Sequence, residues 1–171
     1  MPEADPIPTF EYVEAAVRKK TFGVLTTIDR RGKPHSTGAL YGVSPPASPF
    51  ALFVLTLENY VKVRNVRTNP EATLVVPFPH RILSFIPAPC VTFRGQADVV
   101  PFTDTDARWG FDQRRILRDN AAWLKDSEPV FLKLTPEPKV LCHGLGIGLI
   151  RLRKEHTAGG YRACIPAERL P

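Results

Sequence analysis

TTIDRRGKPHSTGALYGV (26–43) and LFVLTLENYVKVRNVRTNPEATLVVPF (52–78) are the two stretches on which the reading of this chain turns. FGVLTTI (22–28) is rich in β-formers, DRRGKP (29–34) is a charged turn with a glycine, and HSTGALYGV (35–43) is again extended, so the three predict a hairpin. FALFVLTL (50–57) is almost continuously apolar, as a strand buried on both faces must be. ENYVKVRNVRTNP (58–70) changes period. Val63 and Val66 lie three apart among Lys62, Arg64 and Arg67, which predicts a short helix capped by Asn59 and closed by Asn69-Pro70. ATLVVPF (72–78) returns to a strand.

Outward from this centre, TFEYVEAAVRKK (9–20) predicts a helix whose apolar face is Phe10, Val13 and Val17, with acids early and bases late to suit its dipole. VTFRGQADVV (91–100) alternates strictly: Val91, Phe93, Ala97 and Val99 on one face, Thr92, Arg94, Gln96 and Asp98 on the other. Residues 104–125 predict one long helix begun by Asp104 and Asp106. Its inward stripe is Trp109, Ile116 and Trp123, seven apart, with Leu117 and Leu124 beside them. EPVFLKL (128–134) and KVLCHGL (139–145) read as the last strands; 79–89 is broken by prolines and the tail after Ile150 is basic, then irregular. Six or seven short strands joined mostly by turns predict an antiparallel, mainly β, α+β domain, a barrel or a sandwich.

Composition agrees with one domain spanning 1–171. A chain of 171 residues buries roughly 70% of its unfolded surface, enough for a core without disulfides or metal. The 18 prolines fall between apolar stretches, where they bracket strands. Cys90, Cys142 and Cys164 are odd in number and widely spaced, which speaks against a zinc site and for buried thiols in a reducing compartment. MPEADPIPTF carries neither a basic nor an apolar leader segment, so a cytoplasmic location is expected, and no apolar run suits a membrane span. Basic residues outnumber acidic 23 to 17, a net charge of +6 that favours anionic partners. They are scattered in small groups without interleaved aromatics, so nucleic acid is not the expected partner. No G-x-S-x-G, H-E-x-x-H or Walker loop is present, and Gly144, Gly146 and Gly148 read as a glycine-rich strand end. His35, His80, His143 and His156 are dispersed.

One constellation carries chemistry. A helix opening near Asn59 leaves the amides of Tyr60, Val61 and Lys62 without intrahelical partners, and the Lys62 ammonium adds a full charge on that turn. This is an anion site suited to a phosphate. Thr56 ends the buried strand beside it, and Thr37-Gly38-Ala39 offers a low ledge that a flat ring can approach.

These same residues carry a resemblance. Gly32-x-Pro34, Thr37 to Leu40, Leu55-Thr56, Lys62, Arg64-Asn65 and Asn69-Pro70, in that order, resemble the pyridoxamine 5'-phosphate oxidase-like, FMN-binding split β-barrel superfamily over about residues 10–145. The resemblance implies a six-stranded antiparallel split β-barrel with flanking helices, a homodimer with a flavin in each of two clefts between subunits, and an oxidoreductase acting on a small organic substrate. It implies that Thr37, Gly38, Ala39 and Leu40 line the isoalloxazine and ribityl chain. Leu55 and Thr56 would flank the phosphate, Val61 and Lys62 would bind it, and Cys90 would contribute a contact from the facing strand. In such a protein the hydride chemistry belongs to the cofactor, so no catalytic side chain is implied.

The chain departs from the true oxidases of that superfamily. They have arginine where Thr37 and Val61 stand, and an R-x-H motif where this sequence reads IRLRKEH (150–156). The resemblance therefore stops short of oxidation of pyridoxamine phosphate. Fewer phosphate-binding arginines leave room for a deazaflavin coenzyme in the same cleft, and the fold also admits a non-catalytic flavin- or haem-binding module.

Overall fold

The computed structural model describes residues 7–79, 88–148 and 159–171. Its elements are helix α1 (Phe10–Arg18), strands β1 (Phe22–Ile28), β2 (Pro34–Val43) and β3 (Leu52–Leu57), helix α2 (Val61–Thr68), strands β4 (Glu71–Pro77) and β5 (Cys90–Pro101), helices α3 (Thr105–Asp112) and α4 (Arg115–Leu124), and strands β6 (Pro129–Pro136), β7 (Lys139–His143) and β8 (Gly160–Cys164). Every strand pairing is antiparallel. The order β1–β2–β3–β6–β5–β4 returns to β1 through the β1–β4 ladder, so six strands close a barrel, and β7 and β8 extend from β5.

The barrel and its six strands match the expectation, and local chemistry explains their bounds. Asp29 Oδ1 accepts the backbone N–H of Arg31 and of Lys33, both at 2.8 Å, while Gly32 supplies the left-handed residue (φ +74°) that the β1–β2 turn needs. These backbone N–H groups, that of Lys33 first, hold the Asp29 carboxyl below its ordinary range. β3 is apolar but for Thr56 because both its faces are covered. Leu52 and Val54 point into the barrel with Leu25, Leu74, Phe93 and Leu134, whereas Phe53 and Leu55 lie in a second cluster with Phe111, Leu117, Ala121 and Phe131 under α3 and α4. Phe10, Val13 and Val17 of α1, as expected, plug the barrel.

Five expectations are corrected. The region 104–125 is two helices, broken at Gln113–Arg114. Its buried residues are Ala107 and Phe111, then Leu117 and Ala121. The step of six from Phe111 to Leu117 does not fit one helical stripe, and the break resets the phase. Ile116 and Trp123, expected inward, are 53% and 86% exposed. The short helix starts at Val61 with Tyr60 as its N-cap, and Asn59 belongs to the preceding turn. β8 lies in the segment read as irregular, and Cys164 on it is exposed rather than buried, Cys90 being intermediate and Cys142 buried. Most of the proline-broken stretch 79–89, and the IRLRKEH segment, lie outside the described residues. The Asp104 cap is as expected, its carboxylate accepting the Ala107 N–H at 2.9 Å. Gly144 and Gly146 have φ of +69° and +73°, a turn after β7. Among the described residues no helix is long and apolar enough to cross a membrane.

An ion-pair cluster ties the ends together. Glu14 on α1 meets Arg18 at 2.6 Å and Arg169, in a 3-10 turn (Ala167–Arg169), at 3.3 Å, and Arg169 Nε donates to the Ser48 carbonyl at 2.9 Å. All three side chains are mostly buried, so Glu14→Ala is expected to cost about 3 kcal/mol by stranding two guanidinium groups, read as a fall in the urea midpoint.

Gly95 marks the tightest backbone approach in the barrel. A Cβ there would lie 2.0 Å from the Thr135 carbonyl oxygen and 2.7 Å from Pro136 Cα, atoms of the β6 backbone that cannot rotate away. Gly95→Ala is expected to lower stability by about 3 kcal/mol, whereas Gly160→Ala, with nothing within 4 Å, should stay within about 0.5 kcal/mol of the parent. Paired denaturant titrations check both.

Candidate functional site

The barrel is split between β2 and β3. Their ladder runs only from Val43↔Leu52 to Tyr41↔Val54, and beyond it the two strands part. β2 continues on β1 alone, with Thr37 opposite Leu25, and β3 continues on β6 alone, with Thr56 opposite Val130. Continued past Tyr41↔Val54, the register sets Ala39 level with Thr56. α2 opens where β3 ends, so the parted edges and the helix start share one end of the barrel.

The expected site residues distribute over that end as follows. Thr37 and Ala39 share the inward face of β2 with Tyr41, while Gly38 and Leu40 take the other face. Leu40 packs with Leu55 in the cluster under α3 and α4. A Cβ on Gly38 would meet the Phe22 ring at 2.9 Å, so only glycine leaves that ring lying against the strand. Thr56 faces inward and is 3% exposed. The hydroxyls of Thr37 and Thr56 are both buried and both without a hydrogen-bond partner. That is a costly state for a polar atom, and it sets these two threonines apart from their neighbour Thr27, whose buried hydroxyl accepts from Asn65 Nδ2 at 3.0 Å.

At the helix start, Val63 N and Arg64 N both donate to the Tyr60 carbonyl, at 3.0 and 3.3 Å, and no side chain caps the first turn. The N–H groups of Val61 and Lys62 have no intrahelical acceptor. Val61 is 41% exposed. Lys62 is half-buried, its Nζ 5.8 Å from the centre of the Tyr60 ring, and burial pulls its ammonium below the ordinary lysine range. Among the described residues no carboxylate stands within ion-pair distance of it. Its nearest acid in sequence, Glu58, is taken by Arg67 at 2.5 Å, and the Glu58 N–H is tied to the Glu128 carbonyl at 3.1 Å. Glu128 holds φ +55°, the one positive φ outside glycine among the described residues. These three anchors of the 58–60 turn, and the Tyr60 ring, were not read in the sequence: Glu58 and Arg67 are nine apart, and no local pattern announces their pairing.

Cys90 is not brought to this end. It opens β5, paired with Pro77 and His143, whereas α2 is followed by Glu71 at the other end of β4.

A partly desolvated positive charge beside free helix-start amides, on the barrel end that also holds two orphaned hydroxyls, suits a phosphate-bearing ligand. The profile described as pyridoxamine 5'-phosphate oxidase matches residues 10–137. The chain belongs to that family. No curated protein matches it in sequence. Among solved structures it resembles a haem-binding protein from Mycobacterium smegmatis, 19% identical at a TM-score of 0.69, over 93% of this chain and 59% of that one. The chain thus spans about three fifths of that relative. It also resembles HutZ, the haem storage protein from Vibrio cholerae, with 20% identity, a TM-score of 0.59 and coverage of 80% and 96%. An FAD-binding protein from Mesorhizobium loti is 17% identical at a TM-score of 0.57, over 78% of this chain and 90% of that one. At these identities the likeness is one of fold.

Asn65→Ala, which strands the Thr27 hydroxyl, is expected to cost about 1–3 kcal/mol, with much of it recovered when Thr27→Val is added. A double-mutant cycle in urea measures the coupling.

Proposed function

We propose that this chain binds FMN in the split between β2 and β3 and serves as an oxidoreductase toward a small organic substrate. The observation that carries the reading is Lys62: a half-buried cation with no counter-ion among the described residues, at the opening turn of α2, on the same barrel end as the unpartnered Thr37 and Thr56 hydroxyls. In this reading Lys62 and the Val61 and Lys62 amides hold the cofactor phosphate, with Thr56 and Leu55 flanking it. Thr37, Gly38, Ala39 and Leu40 form the ledge for the ribityl chain and ring. The bound flavin supplies the hydride and electron chemistry. The protein's part is to hold the phosphate, orient the ring and exclude water. Cys90, at the far end of its own barrel, reaches a cofactor only across the interface of a homodimer, the assembly in which this fold typically occurs.

The family match and the FAD-binding neighbour support a flavin. The haem-binding neighbours name the rival cofactor, and a deazaflavin would use the same phosphate contacts. Titration of the purified protein with FMN, a deazaflavin and haemin, followed by visible absorbance, separates the three. Tight binding of FMN supports the proposal, and haemin binding with no flavin binding overturns it. Bleaching of the bound flavin by reduced nicotinamide, and its reoxidation by a substrate, distinguishes an enzyme from a carrier.

Lys62→Ala is expected to weaken FMN binding by about 1.5–3 kcal/mol, roughly ten- to a hundredfold, as for a charged hydrogen bond. Riboflavin, which lacks the phosphate, should not sense the change. A bound phosphate favours the charged ammonium, whose pKa is lowered in the free protein. FMN affinity should therefore fall as the pH rises through that lowered value, short of the ordinary lysine range, and Lys62→Arg should remove the dependence. Isothermal titration across alkaline pH reads it.

A further inference from the structure

A cavity opens on the outer side of β2, where α1 ends and α3 gives way to α4. It encloses about 260 Å³, and Arg18, Lys20, Gly42, Trp109, Gly110 and Arg114 are among its walls. The floor is backbone. A Cβ on Gly110 would lie 2.6 Å from the Val43 carbonyl oxygen and one on Gly42 would lie 2.9 Å from the Phe111 ring, so α3 sits directly on the strand. The break in the helix shapes the wall. Arg114 is in extended conformation (φ −133°, ψ 125°) as the N-cap of α4, and its guanidinium crosses to α1, where Nη2 donates to the Lys19 carbonyl at 3.1 Å.

Charge and ring chemistry are both present. Among the described residues no carboxylate lines the cavity. Arg18 is spent, bound to Glu14 and to the Ser44 carbonyl at 2.7 Å, and its guanidinium carbon lies 5.8 Å from the centre of the Trp109 ring, fixing the indole as one wall. Arg114 has only its backbone acceptor, and among the described residues no acid lies within ion-pair distance of it. Its planar fork keeps N–H groups free for two parallel bonds to a carboxylate. Lys20, its Nζ 5.4 Å from the centre of the Phe78 ring, stands at the rim, and among the described residues no acid lies within ion-pair distance of it. The Tyr41 phenol, also at the wall, is committed to the Val17 carbonyl at 2.7 Å.

We propose that this cavity binds a small aromatic carboxylate, its ring against Trp109 and its carboxylate on the Arg114 fork. An inorganic anion would leave the indole and glycine surfaces unfilled, and a neutral ring would forgo the paired bonds that the exposed Arg114 fork offers. The site does not rest on the flavin reading, since it uses none of the residues assigned there.

The chain holds two tryptophans, and Trp123 is 86% exposed on α4, so Trp123→Phe leaves Trp109 as the sole indole reporter. In the full chain carrying that change, benzoate should alter Trp109 fluorescence saturably. Acetate, inorganic phosphate and benzyl alcohol should each bind at least about tenfold more weakly, the scale of one lost charged bond. Arg114→Gln should weaken benzoate by a similar factor. Because Arg114 also caps α1, Lys20→Gln serves as the second variant, with an expected loss of about threefold for a rim charge. A linear, unsaturable response to benzoate overturns the proposal, as does unchanged affinity in both variants. Phosphate saturating the site as tightly as benzoate also overturns it, in favour of a plain anion site.

Discussion

β3 is buried from both sides, and that constraint organises the molecule. A six-residue apolar strand has no wet face, so the barrel that covers Leu52 and Val54 is not enough. Phe53 and Leu55 demand an outer layer, which α3 and α4 provide. The outer layer in turn has to descend onto β2 through Gly42 and Gly110, which creates the cavity beside Trp109. At the other end of the strand, the helical layer and the β6 ladder hold β3 while β2 stays with β1, and the seam between them opens. The seam and the outer cavity, the two proposed binding places, are thus consequences of one doubly covered strand.

Polar groups in the interior follow a matching division. Where the structure can satisfy a buried group internally, it does. Asn65 serves Thr27, Glu14 serves two arginines, and Tyr41 serves the end of α1. The Thr37 and Thr56 hydroxyls are left unpartnered, and the half-buried Lys62 has no acid partner among the described residues. A chain with a net charge of +6 has a surplus of cations, but most surplus cations face water at little cost. Lys62 is different because it is half out of water, and a protein tolerates such a group more readily where a ligand completes it.

Most of the strands were legible because period-two alternation and proline punctuation are local signals. 22–28, 91–100 and the hairpin turn at Asp29 needed nothing distant to specify them. The failures were tertiary. The heptad of Trp109, Ile116 and Trp123 is a real pattern in the letters, yet the shape of the β3 surface selected Phe111 and Leu117 instead, and two bulky residues ended outside. Asn59 has good capping chemistry, but the Glu58–Arg67 pair and the Glu128 carbonyl fix the turn one residue further on. Thr37 and Thr56 read by themselves as strand-formers. Their place beside a helix start and the order of motifs shared with a family marked them out, whereas an absent hydrogen bond has no signature in sequence.

The Glu14–Arg169 cluster bears on how the chain reaches this state. Besides the ion pair, the Phe50 N–H donates to the Arg169 carbonyl at 2.7 Å, so the loop between β2 and β3 is fastened by a residue more than a hundred positions later. During synthesis, α1 and the first hairpin emerge early and must wait, the Glu14 carboxylate paired with Arg18 alone until residue 169 clears the ribosome. Nascent-chain lengths short of that point should carry an incompletely fastened barrel, the interval in which a holdase would find apolar surface to grasp.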